Sequence, residues 1–219
     1  MSVAVIFDLD GTLIDSAPDI HAASNQVLAE DGFAPLTLAQ VRSFIGKGVP
    51  HLVARLLEAS GEPPSGPQHA AMVARFTARY ESAVGLTRPY PGVAAALEAL
   101  AANGLGLGLC TNKPVAPAKA VLRHLGLDHH FKVLIGGDSL AQRKPDPAPL
   151  RAALAALGGG VAIYVGDSEV DAATAAAAGL PFVLFTEGYR KTPVADLPHV
   201  AAFADFAALP GIIADLVTR

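Results

Sequence analysis

The chain has 219 residues, 52% of them hydrophobic, which is enough for one domain with a large insertion or for two small domains. The formal net charge is −4 and the charges form no basic tract, which argues against a nucleic acid or an anionic membrane surface as partner. Cys110 is the only cysteine, so no disulfide bond can form within the chain. No secretory signal is visible, and no apolar run reaches the ~18 residues of a membrane span. We therefore expect a cytoplasmic protein, either a monomer or a homodimer.

Short apolar runs alternate with longer helix-like stretches through most of the chain. The runs are almost uniformly apolar, which is typical of parallel strands that are covered on both faces. The predicted strands are 3–9, 105–110, 132–135, 161–165 and 182–185. The predicted helices are 93–102, 116–125, 148–157 and 170–178. Strands alternating with helices predict an α/β fold with a doubly wound parallel sheet, that is, a Rossmann-like core.

The segment 16–86 breaks this alternation, because it contains helical patterns and no convincing strand. The predicted helices of this segment are 19–30, 38–44, 50–59 and 68–84. We therefore expect residues 16–86 to form a helical cap domain, inserted after the first strand. Residues 1–15 and 87–219 are then expected to form the α/β catalytic core.

Two acidic residues, Asp8 and Asp10, lie at the carboxyl end of the first predicted strand. Residues two apart on an extended strand face the same side, so both can lie at the carboxyl end of the strand, where open α/β sheets bind ligands. Adjacent carboxylates repel each other unless a proton or a cation joins them, and a hard divalent cation prefers oxygen ligands. Taken alone, the pattern is equally compatible with a strand that runs into a polar turn.

A second acidic pair, Asp167 and Asp171, follows another predicted buried strand. The two residues are four apart, so they can share one face at the start of a helix. Favourable interaction with the helix dipole explains one or two acidic residues there. It does not explain acidic residues at the ends of two different strands. The two pairs together predict a metal site.

Two further segments carry groups suited to a phosphate. Thr111 and Asn112 follow a predicted strand and precede a helix, where a hydroxyl, an amide and backbone N–H groups can bind phosphate oxygens. A plain helix cap explains the same two residues equally well. Lys144 precedes a proline in a loop, from which it can neutralise both the Asp8 carboxylate and an incoming phosphate. Cys110 is expected to be a buried core residue.

In this order, the four segments resemble the four motifs of the haloacid dehalogenase superfamily of aspartate-nucleophile phosphatases. The resemblance spans nearly the whole chain, and segment 16–86 resembles the helical cap of that family. The matching segments are Asp8-Leu9-Asp10-Gly11-Thr12, Thr111-Asn112, Lys144-Pro145 and Gly166-Asp167-Ser168-Glu169-Val170-Asp171. Segments 15–19, 44–48 and 88–92 look most like the phosphoglycolate phosphatases within the superfamily.

The resemblance implies a reaction in two displacements. Asp8 would attack phosphorus to form an aspartyl phosphate, and water would then hydrolyse this intermediate. Asp10 would first protonate the leaving oxygen and later deprotonate the water. The substrate would be a small phosphomonoester, in the first place 2-phosphoglycolate.

The resemblance also implies a cofactor and a set of binding residues. Mg²⁺ would be held by the carboxylates of Asp8 and Asp167 and by the backbone carbonyl of Asp10, and Asp171 would orient the waters on the metal. Lys47, in the cap, would contribute to substrate specificity. The equatorial phosphate oxygens would be bound by Thr111, Asn112 and Lys144.

Several other activities remain open at this point. Dehalogenases of this superfamily lack the second aspartate of the first motif, so Asp10 argues against that activity. Phosphonatases use a cap lysine, but Lys47 lies between two glycines, as in a phosphatase substrate loop. A phosphatase acting on a sugar or amino-sugar phosphate, or a sugar-phosphate mutase, would use the same core residues. A non-catalytic phosphate or metal sensor on a receiver-like fold would lack the helical insertion.

Overall fold

The structure is a computed structural model that describes residues 3–218. The strands are β1 (Val3–Phe7), β2 (Ile14–Asp15), β3 (Arg88–Pro89), β4 (Gly106–Cys110), β5 (Val133–Ile135), β6 (Val161–Gly166), β7 (Phe182–Phe185) and β8 (Ala201–Phe203). The helices are α1 (Ala17–Glu30), α2 (Leu38–Arg42), α3 (Val49–Ala59), α4 (Pro67–Tyr80), α5 (Val93–Ala102), α6 (Val115–His124), α7 (Ala148–Ala156), α8 (Glu169–Ala178) and α9 (Leu209–Val217). Short 3₁₀ helices lie at Asp128–His130, Val194–Asp196 and Phe206–Ala208.

Six of the strands form one parallel sheet in the order β5-β4-β1-β6-β7-β8. The central strand β1 pairs with β4 on one side and with β6 on the other, and Phe7 is opposite both Leu109 and Val165. The strand order therefore reverses at β1, and a crevice opens there beyond the carboxyl ends of the strands. This confirms the predicted doubly wound α/β fold.

Both faces of the sheet are covered by helices, which explains why the strands show no alternation of polar and apolar residues. Val5 and Phe7 of β1 belong to an apolar cluster with α5, α6 and α9. Ala4 and Ile6 face the opposite cluster, which includes residues of α7 and α8. Cys110 is fully buried in this second cluster, as expected, and its burial raises the pKa of the thiol to about 12.

Helices α1 to α4 lie between β2 and β3 and share an apolar core of their own. The fully buried residues of this core are Val27, Leu28, Val41, Val53, Leu56, Leu57, Met72 and Phe76. The chain leaves and re-enters the sheet region through β2 and β3, which pair with each other as antiparallel strands. Asp19 in α1 accepts hydrogen bonds from the Thr87 N–H (2.7 Å) and hydroxyl (2.6 Å). These hydrogen bonds therefore link the two connections between the sheet region and the helical insertion.

The observed elements differ from the predicted ones at a few boundaries. Strand β1 ends at Phe7 rather than at residue 9, and α4 ends at Tyr80 rather than at residue 84. No element is predicted after residue 185, whereas the structure adds β8 at the edge of the sheet and α9, which packs against α5. None of the helices in residues 3–218 is long and apolar enough to cross a membrane.

Candidate active site

The four predicted motifs meet at the carboxyl edge of the sheet. Asp8 directly follows β1, Thr111 directly follows β4, and Asp167 directly follows β6. Asp171 lies in the first turn of α8, and Lys144 lies in the loop before α7. All five of these side chains are buried. Since parallel strands end at the same edge, residues that are far apart in the sequence are brought into one site.

Three carboxylates form the centre of this site. Asp8, Asp167 and Asp171 each offer an oxygen, and these oxygens all lie within 4.8 Å of one another. Lys144 is the buried cation beside them, with its Nζ 2.9 Å from Asp8 Oδ1 and 2.7 Å from Asp171 Oδ1. One lysine leaves the cluster with excess negative charge when all the carboxyls are ionised.

The three carboxyl groups differ in pKa because their surroundings differ. Burial would raise the pKa of Asp171, but Lys144 and hydrogen bonds from Ser168 and Tyr164 outweigh burial, so this pKa is lowered. Burial raises the pKa of Asp8 to about 6, with Lys144 acting in the opposite direction. Burial, followed by the charges of Asp171 and Asp8, raises the pKa of Asp167 well above its usual range. Burial would lower the pKa of Lys144, but the neighbouring carboxylates raise it.

The excess negative charge provides the test of whether a metal fits. Burial and the charges of neighbouring carboxylates raise the pKa of Asp8 and of Asp167, so both ionise with difficulty, and a divalent cation would offset the negative charge. The donors are hard carboxylate oxygens, which suit Mg²⁺ or Ca²⁺ rather than a soft metal. Asp171 already accepts hydrogen bonds from Lys144, Tyr164 and Ser168. Asp167 accepts one hydrogen bond at each oxygen, against two or more at each oxygen of Asp171, so Asp8 and Asp167 are the carboxylates better placed to bind the metal directly.

Asp167 is held in place by a segment that sequence analysis missed. Its Oδ2 accepts a hydrogen bond from the Tyr189 N–H at 2.6 Å, and its Oδ1 accepts one from the Thr12 hydroxyl at 2.7 Å. A Cβ at Gly188 would lie 2.3 Å from the Asp167 Cβ, so only glycine permits this close approach. The position of Gly188, three residues beyond the predicted strand 182–185, is the available sequence signal.

Asp10 lies beside the carboxylate cluster. Its Oδ1 accepts a hydrogen bond from the Ser16 hydroxyl at 2.6 Å and lies 3.2 Å from Lys113 Nζ. The ammonium group of Lys113 also hydrogen-bonds the hydroxyl of Tyr80, in α4, and lies 3.9 Å from the centre of that ring. Burial lowers the pKa of Lys113, although Asp10 acts in the opposite direction. Sequence analysis assigned no function to Lys113, although it directly follows Asn112.

The side chain of Asn112 is hydrogen-bonded to other parts of the protein. Its side-chain nitrogen donates hydrogen bonds to the Gly46 carbonyl (2.9 Å) and the Lys144 carbonyl (3.0 Å), while its oxygen accepts one from the Lys144 N–H (3.0 Å). The amide is therefore committed to holding the Lys144 loop and the helical insertion. Within residues 3–218, its backbone N–H has no hydrogen-bond partner. It is this N–H, rather than the side-chain amide, that is available to a phosphate oxygen.

Two chambers open beside Asp8 and Asp10, between the sheet edge and the helical insertion. The smaller one, of about 40 Å³, is lined by Thr111, Lys113 and apolar residues of the insertion. The wider one, of about 280 Å³, is lined by Lys47, His51, Asp167 and Lys191 among others. Lys47 itself is exposed at this chamber. The predicted specificity residue is thus near the site, but it is not buried beside Asp10.

Comparison with known proteins identifies the family. A model of the haloacid dehalogenase-like hydrolases matches residues 3–179. The chain belongs to this family. The family match covers all four motifs, together with the helical insertion between the first and the second.

Two relatives of this haloacid dehalogenase-like hydrolase are similar over nearly their whole lengths. The phosphoglycolate phosphatase of Cereibacter sphaeroides (strain ATCC 17029) is 56% identical over 214 residues, which cover 97% of this chain and 98% of the relative. The phosphoglycolate phosphatase of Rhodospirillum rubrum is 50% identical over 216 residues, covering 95% and 90%. A crystal structure from Haemophilus somnus, described as that of a predicted phosphoglycolate phosphatase, superposes with a TM-score of 0.90 at 32% identity, covering 96% and 97%.

Proposed function

We propose that this haloacid dehalogenase-like hydrolase is a magnesium-dependent phosphatase that hydrolyses 2-phosphoglycolate through an aspartyl phosphate on Asp8. The observation that carries the proposal is the placement of Asp8. It lies in a crevice at the sheet edge, with Lys144 on one side and Asp10 close by. The identity of 56% to a phosphoglycolate phosphatase supports the choice of substrate.

Asp8 is suited to be the nucleophile because its environment presents a reactive carboxylate to the crevice. Lys144 Nζ, 2.9 Å away, favours the ionised form, and the buried setting keeps the carboxylate poorly solvated. Attack of an Asp8 oxygen on phosphorus forms the aspartyl phosphate and releases the alcohol oxygen of glycolate. Attack by water then releases inorganic phosphate and regenerates the carboxylate.

Asp10 is suited to move the proton in both steps. The Ser16 hydroxyl and Lys113 both contact Oδ1, which fixes the carboxyl group and leaves Oδ2 for the substrate. The group donates its proton to the leaving oxygen and then accepts one from the attacking water, so it returns to its starting state after each turnover.

Mg²⁺ would be held by the carboxylates of Asp8 and Asp167 and by the backbone carbonyl of Asp10. Bound there, it would offset the repulsion between the anionic phosphate and Asp8. Asp171 keeps Lys144 in position through the 2.7 Å ion pair, and it is placed to orient water on the metal.

The phosphate oxygens meet neutral donors and one cation. We assign these contacts to the Thr111 hydroxyl, the Asn112 backbone N–H and the Lys144 ammonium group. Asn112 contributes in a second way, because its side chain fixes the backbone of Lys144. We therefore assign the phosphate contact of Asn112 to its backbone N–H and not to its side-chain amide.

Segment 16–86 acts as the cap in this proposal. It covers Asp8 and Asp10 with the walls of both chambers. Lys47 lies exposed at the wider chamber, where its charge attracts an anionic substrate toward the crevice. A closed cap would exclude bulk water from the aspartyl phosphate.

The experiment that tests this function is a kinetic screen of about thirty metabolite phosphates with Mg²⁺, run on the protein and on Asp8→Asn. We expect 2-phosphoglycolate to have the highest kcat/KM and Asp8→Asn to be folded and inactive. The screen includes sugar and amino-sugar phosphates, and chromatography of the products detects a mutase. A folded Asp8→Asn protein with a tenth of the activity would remove Asp8 as nucleophile. A clear preference for a sugar phosphate would replace the substrate but not the mechanism.

A further inference from the structure

Lys113 presents an unused hydrogen-bond donor to the smaller chamber. An ammonium group has three N–H donors. One is directed at Asp10 Oδ1 and one at the Tyr80 hydroxyl. The third has no acceptor among residues 3–218. The side chain is only 3% exposed, so bulk water has little access to the remaining donor.

A buried cation with a free donor calls for an anion or a polar group. Asp10 alone satisfies part of this need, at 3.2 Å. Among residues 3–218, the other acidic residue that lines this chamber is Asp8, which is paired with Lys144. The remaining donor of Lys113 is therefore available to a ligand.

The chemistry of the proposed reaction brings an anion to this position. The leaving oxygen must approach Asp10, which protonates it. In 2-phosphoglycolate, a single methylene group joins that oxygen to the carboxylate. Wherever Asp10 meets the leaving oxygen, the carboxylate must therefore lie close to Asp10 as well. Lys113 is the cation that lies in contact with Asp10.

The shape of the smaller chamber suits the same leaving group. Its volume of about 40 Å³, against about 280 Å³ for the wider chamber, favours a small leaving group. Ile20, Leu52 and Phe76 supply apolar walls that can contact the methylene group. Among residues 3–218, Lys113 is the only lysine or arginine that lines this chamber. Lys47 lines the wider one.

We propose that Lys113 binds the carboxylate of the leaving group and so selects short phosphorylated hydroxyacids. This inference rests on the proposed phosphatase function. The sequence predicted Lys47 as the specificity residue, whereas this inference assigns the main contact with the substrate carboxylate to Lys113, a buried lysine of the core. Tyr80, through its hydroxyl and ring, holds the ammonium group in place from the cap side.

The test measures binding in the inactive Asp8→Asn background, so that effects on catalysis do not enter. Calorimetry with Mg²⁺ compares 2-phosphoglycolate with ethyl phosphate, in which a methyl group replaces the carboxylate. Adding Lys113→Met is expected to weaken binding of 2-phosphoglycolate roughly ten- to a hundredfold, the range for a hydrogen bond to a charged group. Ethyl phosphate should lose threefold or less. Lys119→Met, at an exposed lysine of α6, serves as the control for loss of one positive charge.

The same comparison is made with the active enzyme as a ratio of kcat/KM for the two substrates. Loss of support for Asp10 in Lys113→Met slows both substrates, whereas loss of the carboxylate contact lowers the ratio. Lys113→Gln, which keeps a donor for Asp10 while removing the charge, gives the same readout if the methionine variant does not fold. An unchanged ratio overturns the inference, as does a drop in the ratio that occurs in Lys47→Ala instead. If the unaltered enzyme does not hydrolyse 2-phosphoglycolate at all, it is the proposed function that fails.

Discussion

Replacing Asp8 with asparagine is expected to stabilise the metal-free protein while abolishing turnover. The pKa of this carboxyl is raised from 3.8 to about 6, with burial as the main cause. At pH 7 the folded protein must therefore hold a charge that its environment disfavours. A difference of about two pH units, at ~1.4 kcal/mol each, gives ~3 kcal/mol as the order of the gain. Asparagine has nearly the same shape and carries no charge. For a chain of this length, ~3 kcal/mol corresponds to an increase in Tm of about 6–12 °C.

The assay is thermal and urea unfolding of both proteins in chelator, between pH 4 and pH 7. The folded pKa lies above the unfolded one, so the cost of Asp8 is absent below about pH 4, grows between about pH 4 and pH 6, and is complete above that range. The advantage of Asp8→Asn should therefore be near zero at pH 4 and complete at pH 7. Added Mg²⁺ binds the folded unaltered protein more strongly and should narrow the gap. Asp215→Asn, at an exposed position, is the control. An asparagine variant that is no more stable than the unaltered protein at pH 7, or equally favoured at pH 4, would refute the reasoning.

Three further predictions concern the same cluster. Asp10→Asn is expected to slow both formation and breakdown of the phosphoenzyme by ~10²–10⁴-fold in rapid-quench assays, and an unchanged turnover number would remove it from acid–base catalysis. Chelator should abolish activity, Mg²⁺ should restore it, and Ca²⁺ should inhibit, because its looser geometry allows both Asp8 oxygens to bind and leaves none to attack; equal rates with the two ions would contradict the proposed site. Lys144→Met should lower the free energy of unfolding in chelator by ~3–5 kcal/mol, since it leaves buried carboxylates unpaired, and a loss under ~1 kcal/mol in urea unfolding would argue against that ion pair.

The position of the carboxylates proposed to bind the metal could be predicted because it follows from the backbone alone. Asp8 and Asp167 directly follow two strands that pair in register, so any parallel sheet with this order places them side by side. Thr111 is positioned in the same way by β4. Neither long-range packing nor side-chain conformation is needed for this inference, only the rule that parallel strands end at one edge.

Lys113 and Tyr189 could not be assigned in this way, because their functions depend on contacts between distant segments. The position of the Lys113 ammonium group depends on its hydrogen bond to Tyr80, which is 33 residues away in α4. Tyr189 hydrogen-bonds Asp167, 22 residues earlier, and the start of the insertion, more than 170 residues away. A sequence pattern indicates which face of a helix is apolar. It does not indicate which core residue that helix meets.

The same contacts show that the cap position and the geometry of the site depend on each other. The Tyr189 N–H holds the Asp167 carboxylate, while its hydroxyl donates to Asp15 and accepts from the backbone N–H groups of Ser16 and Ala17, where the insertion begins. A shift of that linker therefore moves the residue that orients a proposed metal ligand.

Two more contacts join the cap to the site, and each ends on a different part of the chemistry. Asn112 connects Gly46 of the insertion to the backbone of Lys144, and thus to the cation beside Asp8. Tyr80 connects α4 through Lys113 to Asp10. Opening the cap would break the Asn112–Gly46 and Lys113–Tyr80 contacts, which help to orient the residues beside the proposed cation and the proposed acid–base group. In the proposed reaction, a closed cap would combine the exclusion of water with the correct placement of these side chains, so an open enzyme would be a poor catalyst for any ester that the cap does not enclose.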